Sequence, residues 1–336
     1  MRAPLVIRFG ALGDMVLLTP VLRALAERHG QPCDVVGSGR FLDDLYAHLP
    51  FVGEHFVIGS RKTPYWLNPD KWALVRWLRA RQPAPVYVLQ SDALSIRLAQ
   101  RGCAVTSSTL AVPGRAREHI VELYARVTGT AASGVELRVS ADEHAALGAW
   151  LERLGLGGTE LVLLQPGNRR TMRKGATDQD DRKHWPAERW LGVIHGVLSQ
   201  RPQARVLIIG APSECAVTEP LAAAAADPRV LSLAHDLPLR RLFALFTRAH
   251  SLISVDTGPA HAAAACGCPV AVLFAAADPR CIRPYHPTVP IAVIASPAAG
   301  PEPDDAQAWA AAHSMDGITV DAVLAAWRTL APGRRS

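Results

Sequence analysis

Apolar and polar positions alternate in blocks along the chain, and the blocks predict strands and helices in turn. Leu5–Phe9 is a short β-type run that ends in a glycine-containing turn, Gly10-Ala11-Leu12-Gly13-Asp14. Val16, Leu17, Val21, Leu22 and Leu25 then recur at three- and four-residue spacing, which predicts a helix with one apolar face, and Gly30 stops it. A strand at Asp34–Gly37, a helix at Phe41–His48, a buried strand at Pro85–Gln90 and a helix at Glu118–Thr128 complete the first half. A second series starts with a helix at Ala141–Leu154, broken by Gly155 and Gly158. It continues as strand Leu161–Leu164, helix Ala187–Ser199, strand Arg205–Ile209, helix Leu221–Ala226 and strand Val230–Leu233. Helix Leu239–Arg248, strand Leu252–Val255, helix His261–Cys266 and strand Val270–Phe274 follow. Asn168–Arg182 and Pro297–Asp305 have neither period and read as loops.

Strand–helix alternation of this kind predicts parallel sheets covered by helices on both faces. The expected architecture is therefore α/β, with two doubly wound domains at 1–155 and 156–336. Ligands in such folds sit beyond the carboxyl ends of the strands, and with two domains the expected site is the cleft between them. A length of 336 residues suits two cores of ordinary size.

Composition narrows the class. Hydrophobic residues make up 49% and charged residues 20%, as in a folded globular protein. The net charge is +6, of which +4 falls on residues 1–155, favouring an anionic partner. The basic residues are spread rather than gathered for base reading, so no nucleic-acid partner is expected. Of six cysteines only Cys266 and Cys268 are close together, and a lone C-x-C is a poor zinc signature. The reading is free thiols in a reducing cytoplasm, with no metal and no cofactor. Arg8, Asp14 and Arg23 interrupt the apolar start, and no run is long enough to cross a bilayer, so a cytoplasmic protein is expected.

Five places can carry chemistry. Gly10-x-x-Gly13-Asp14 puts a carboxylate at the first strand–helix turn, suited to a general base or simply to capping the helix. It is not the dinucleotide fingerprint, which argues against a nicotinamide cofactor. Asp256-Thr257-Gly258-Pro259-Ala260-His261 follows a buried strand, and Pro259 suits a first helical turn whose exposed N–H groups attract an anion. There Asp256 can hold sugar or ribose hydroxyls, and Thr257 and His261 can donate to phosphate; the alternative is an ordinary capped helix. In Lys183-His184-Trp185-Pro186 the lysine can neutralise a leaving diphosphate, or can be a solvated lysine beside an aromatic anchor. Glu214, in Gly210-Ala211-Pro212-Ser213-Glu214, can accept from ribose or serve as a helix-dipole partner. Between Arg61 and Arg81, basic residues alternate with Trp66, Trp72 and Trp77. This mixture suits an anionic membrane interface or a phosphorylated glycolipid, and equally a helix burying its tryptophans.

Taken together, RFGALGD at 8–14, KHWP at 183–186, GAPSE at 210–214 and SVDTGPAHAAAACGCPVAVLF at 254–274 resemble the bacterial ADP-heptose:lipopolysaccharide heptosyltransferases, glycosyltransferase family 9. DPRCIRPYHP at 278–287 and ITVDAVLAAW at 318–327 add to the resemblance, which spans essentially the whole chain. It implies two Rossmann-like domains facing across a cleft, the GT-B fold, and an inverting, metal-independent transfer of heptose from ADP-heptose to the lipopolysaccharide inner core. By similarity Asp14 is the general base, Lys183 and the Thr257–His261 helix start stabilise the diphosphate, Asp256 holds heptose and Glu214 holds ribose. The first domain would take the glycolipid acceptor through Gly13, Arg61 and Lys62, in peripheral contact with the inner membrane face. The alternatives are the same reaction with another nucleotide-sugar donor or glycan acceptor, and a nucleotide-sugar epimerase. The chain departs from the family pattern in its charged 169–182 loop, in Asp178 and Gln179 where hydroxyl residues are usual, and in Ala275 where a glycine is usual.

Overall fold

A computed structural model describes residues 2–60, 63–81, 84–103, 108–109, 115, 117–168, 182–298 and 303–330. The chain divides into two compact units, Met1–Arg138 and Val139–Ser336.

The first unit runs β1 (Leu5–Ile7), α1 (Leu12–Val16), α2 (Thr19–His29), β2 (Cys33–Gly37), α3 (Leu42–Tyr46) and β3 (Val52–Val57). It continues with α4 (Pro69–Ala80), β4 (Val86–Val88), α5 (Ala93–Gly102), β5 (Ser108–Thr109) and α6 (Ile120–Thr128). Its sheet is parallel, in the order β3-β2-β1-β4-β5. β1, β2 and β4 are buried along their whole length, as strands of a parallel sheet covered on both faces must be. Beneath them Leu74, Val75 and Leu78 of α4 pack on Leu5, Ile7, Val86 and Val88.

The second unit runs α7 (Ala141–Arg153), β6 (Glu160–Gln165), α8 (Ala187–Gln200), β7 (Ala204–Ile208), α9 (Cys215–Ala224) and β8 (Val230–Ser232). Then come α10 (Leu239–Arg248), β9 (Ser251–Val255), α11 (Gly258–Ala265), β10 (Val270–Phe274), α12 (Pro279–Ile282), β11 (Ile291–Ala295), α13 (Ala306–Ala312) and α14 (Val320–Arg328). Its parallel sheet has the order β11-β10-β9-β6-β7-β8. In both sheets the first strand lies inside, with the next strands on one side and the later ones on the other. The strand order thus reverses between β1 and β4 in one unit and between β6 and β9 in the other. These reversals are where a doubly wound sheet leaves a crevice for a ligand.

The expected α/β class and its two doubly wound sheets are present. The contact division falls after Arg138, before α7, whereas the sequence reading divides the chain after 155. α7 is tied to α10, because Glu143 accepts from Arg240 at 2.6 Å, and to the turn before it, where Trp150 Nε1 donates to Asp236 at 3.1 Å. The helix expected at His261 starts three residues earlier, with Pro259 in its first turn. The helix expected from Leu221 is the end of α9, which runs through Pro220.

Candidate active-site residues

In the first unit Asp14 stands at the β1/β4 reversal. It is the third residue of α1 rather than its N-cap, which is Ala11. Its Oδ2 accepts from the Ala11 N–H at 2.9 Å, so the capping role read from the sequence is partly real. Its Oδ1 accepts from Arg8 Nη2 at 2.8 Å, and its side chain keeps 42% of its surface exposed. Arg8 is fixed in turn, because Nη1 donates to Gln90 Oε1 at 3.1 Å. The same Gln90 oxygen accepts from the Phe9 N–H at 3.1 Å, joining the ends of β1 and β4. Arg8 and Gln90, neither of them candidates from the sequence, therefore set the rotamer of Asp14. The signal available for Gln90 is a lone polar residue ending an apolar strand. Arg8 also lies over the Tyr124 ring, 5.9 Å from its centroid. Burial, and to a lesser degree Asp14, push the Tyr124 hydroxyl up to about 12, against the lowering effect of Arg8.

Gly10 is required here by space. A Cβ at Gly10 would sit 2.4 Å from Asp14 Cβ. Gly13 is buried inside α1. Arg61 and Lys62 lie outside the described residues, as do Asp178, Gln179 and the rest of 169–181.

In the second unit the β6/β9 reversal gathers Lys183, Asp256 and His261. Asp256 follows β9, its N–H bonded to Leu273 O at 3.1 Å, and only 4% of the residue is exposed. Lys183 Nζ donates to Asp256 Oδ2 at 2.5 Å and to the Asp256 carbonyl at 2.6 Å. His261 Nε2 lies 3.7 Å from Asp256 Oδ1. Burial pushes the Asp256 carboxyl up, but His261 and Lys183 together outweigh it and hold the group below the usual carboxylate range. His261 Nδ1 is buried without a hydrogen-bond partner among the described residues.

Lys183 is placed by its neighbours in sequence. Trp185 is buried, donates to Ile318 O at 3.2 Å and meets Trp190 edge-on at 5.0 Å between centroids. Pro186 then caps the entry to α8. The aromatic anchor and the lysine of KHWP are thus two parts of one device.

Thr257 is the N-cap of α11, yet its hydroxyl turns back to Val255 O at 3.3 Å and caps no helical N–H. With Gly258 and Pro259 leading, no side-chain hydrogen bond among the described residues caps the helix start, and the positive end of the dipole faces the end of β9. The helix that follows is alanine-rich, and Ala260 through Ala265 are buried with His261 among them. Short side chains let it lie deep against β9 and β10.

Glu214 ends the Pro212–Glu214 3-10 turn that joins β7 to α9. It is 7% exposed, and its carboxylate accepts from Ala211 N–H at 2.7 Å and from Gln165 Nε2 at 3.3 Å. Burial pushes its pKa up, against the lowering effect of these two bonds. A Cβ at Gly167 would meet the end of the Glu214 side chain, Oε1, at 2.3 Å, so a larger residue there would push the carboxylate aside. Gln165, at the end of β6, is the counterpart of Gln90 in the other unit. A cavity of about 520 Å³ in the same unit is lined by Arg182, His184, Ala275, His313 and Asp316 among others.

Among the described residues one group has the make-up of a metal site. The ligating atoms of Cys215, Glu219 and His235 lie within 4.8 Å of one another. The six cysteines are free thiols, with Cys33, Cys103 and Cys268 buried. No helix of the described residues is long and apolar enough to cross a membrane.

Two doubly wound parallel sheets, each carrying polar side chains at its strand-order reversal, match the GT-B fold. Solved structures share this fold over almost their full length. The glycosyltransferase family 9 protein of Veillonella parvula is 20% identical with a TM-score of 0.78, covering 98% of this chain and 97% of that one. Escherichia coli ADP-heptose lipopolysaccharide heptosyltransferase II is 18% identical with a TM-score of 0.71, covering 97% and 98%. Escherichia coli heptosyltransferase WaaC, solved with ADP, is 21% identical with a TM-score of 0.67, covering 98% and 100%. Residues 164–304, less than half of the chain, match the model of glycosyltransferase family 9 (heptosyltransferase), and the chain is a glycosyltransferase. No curated protein sequence matches it.

Proposed function

We propose that this glycosyltransferase moves heptose from ADP-heptose to a sugar of the lipopolysaccharide inner core, with inversion and without a metal ion. The observation that carries the reading is Lys183 bonded to Asp256 beside the uncapped start of α11, at the β6/β9 reversal. An ammonium group and a helix dipole at one point supply the positive potential that a leaving diphosphate needs. Lys183 exchanges its bond to Asp256 for the diphosphate, and Asp256 turns to the heptose hydroxyls. Thr257, Gly258, Pro259, Ala260 and His261 cradle the phosphates, and Glu214 accepts from the ribose.

Asp14 accepts the acceptor's hydroxyl proton. The oxygen bonds to the anomeric carbon as the bond from that carbon to the diphosphate oxygen breaks, and the electron pair leaves with ADP. Inversion follows from a single in-line displacement. Gly13, Arg61 and Lys62 belong to the acceptor side, and the acceptor is a glycolipid met at the cytoplasmic face of a bilayer. The donor assignment draws on WaaC, which has been solved with ADP and with ADP-2-deoxy-2-fluoro heptose.

Calorimetric titration with ADP, UDP and GDP in EDTA tests the donor half. ADP alone should bind, and Glu214→Ala should weaken it about tenfold, as loss of a hydrogen bond to a charged group does. Tighter binding of UDP or GDP, or a requirement for a divalent ion, would overturn the donor assignment.

A further inference from the structure

Among the described residues the large hydrophobic side chains left exposed are Trp66, Leu67, Trp72, Leu154 and Val293, at 68%, 56%, 50%, 42% and 38%. Three of the five fall within seven residues of one another, where α4 begins. A clustered apolar patch on a soluble fold marks a surface that meets something.

The patch is held in place rather than trailing. Tyr65–Leu67 form a single 3-10 turn, and Tyr65 packs on the core with the Arg101 guanidinium 4.2 Å from its ring. Asn68 caps α4 by accepting from the Lys71 N–H, while its Nδ2 donates to Ser60 O at 2.8 Å. Lys71 is 2% exposed and its Nζ donates to Thr63 O at 2.6 Å, closing the loop from below. The third tryptophan has a different position: Trp77 packs on the core, 5.7 Å from Phe56, with Arg81 over its ring at 3.6 Å. Burying only one tryptophan of three answers neither sequence reading alone; α4 uses Lys71, Leu74, Val75 and Leu78 inward and leaves Trp72 outward.

We propose that Trp66, Leu67, Trp72 and Arg76 form the face by which the first unit seats on an anionic lipid bilayer. Trp72 and Arg76 are one helical turn apart on the exposed side of α4, with Arg79 a further turn along. Tryptophan prefers the headgroup level, where its ring is apolar and its N–H stays wet, and arginine beside it meets lipid phosphate. Most of the chain's net positive charge, +4 of +6, lies in residues 1–155, which include the whole unit that carries the patch. Against this stands one exposed carboxylate, Asp70, whose Oδ2 is engaged by the Gly59 N–H. Two tryptophans offer about 300–500 Å² of contact, too little for a stable dimer, which buries at least about 1,200 Å². An interfacial anchor needs no such area, because binding adds apolar insertion to charge attraction.

The inference leans on the proposed reaction only in expecting an acceptor that resides in a bilayer. The full chain is mixed with vesicles of phosphatidylglycerol and phosphatidylethanolamine, or of phosphatidylcholine alone, with no donor or acceptor present. Binding is read by co-sedimentation and by quenching of tryptophan emission with brominated lipid. The chain should sediment with the anionic vesicles and not the neutral ones, with its emission quenched. Trp66→Ala/Trp72→Ala should weaken binding at least about tenfold and abolish the quenching, and Arg76→Glu should weaken anionic binding about fivefold. ADP binding and circular dichroism check that each variant is folded. Absence of vesicle binding, or binding unchanged in both variants, overturns the proposal and leaves transfer untouched. Concentration-dependent self-association that Trp66→Ala/Trp72→Ala abolishes also overturns it, in favour of a second copy of the chain. Failure of sugar transfer with vesicle binding intact would overturn the reaction and not this surface.

Discussion

Gly10→Ala puts the assignment of Asp14 under direct strain. The added Cβ would lie 2.4 Å from Asp14 Cβ, 3.0 Å from Cγ and 3.1 Å from Oδ2. Ordinary carbon contacts start near 3.4 Å, so either the β1–α1 turn or the aspartate must give by about 1 Å. A shift of that size breaks the 2.9 Å bond from the Ala11 N–H or the 2.8 Å bond from Arg8, the two contacts that aim the carboxylate. Misplacing a catalytic group by about 1 Å costs on the order of 10²-fold in rate. Overpacking of this kind costs about 1–3 kcal/mol of stability, which leaves the unit folded. The expected result is kcat/KM lower by about 10²-fold in a coupled ADP-release assay, with ADP affinity unchanged because the groups proposed to hold the nucleotide belong to the other unit. Gly148→Ala on α7, where nothing lies within 4 Å of the new Cβ, is the matched control and should leave turnover at the native level. Native turnover by Gly10→Ala, with the fold intact, would refute Asp14 as a positioned base.

Glu214→Gln should trade binding for stability. The buried carboxyl has a raised pKa, so ionising it costs stability above the ordinary glutamate value of 4.5, and the cost vanishes below it. The variant should therefore melt higher than the native chain at neutral pH and alike near pH 4, while ADP affinity falls about tenfold. Asp256 carries the opposite sign. Its depressed pKa contributes stability that is present above the ordinary aspartate value of 3.8 and is lost as pH falls through the folded value. Asp256→Asn should flatten the acid side of a melting-temperature profile below about pH 4. Lys183→Ala, which leaves a 6%-exposed carboxylate without its ammonium, should cost about 1–2 kcal/mol, less than a fully buried pair because Lys183 is 32% exposed. Trp185→Ala removes both the edge-on contact with Trp190 and the bond to Ile318 O, and should cost about 3–5 kcal/mol by chemical denaturation.

What the chain discloses before folding follows from how its strands are buried. Leu161–Leu164, Leu252–Val255 and Val270–Phe274 are covered on both faces, so each is an apolar run, broken only by Ser254 in the second. The edge strands are harder to see. β3, Val-Gly-Glu-His-Phe-Val, is partly exposed throughout and shows neither a run nor an alternation, and β11 carries an exposed Val293. Asp14, Lys183, Glu214 and Asp256 are legible because each follows a strand or opens a helix beside a glycine or proline. Their partners are not. Gln90 reaches Arg8 across 82 residues and Gln165 reaches Glu214 across 49, pairings that depend on strand order and have no local pattern. Likewise the Arg61–Arg81 segment shows its tryptophans but not their facing, since that depends on which side of α4 meets β1 and β4.

The proposed transfer runs on a lysine, a helix dipole and one carboxylate base. It is tested by incubating the purified chain, and its Asp14→Asn variant, with ADP-heptose and inner-core acceptor in EDTA, and reading the product by mass spectrometry and its anomeric configuration by NMR. The native chain should give a heptosylated, inverted product and release ADP, and Asp14→Asn should show no turnover but unchanged ADP binding. Retained configuration, a strict requirement for metal, or full turnover by Asp14→Asn would contradict it.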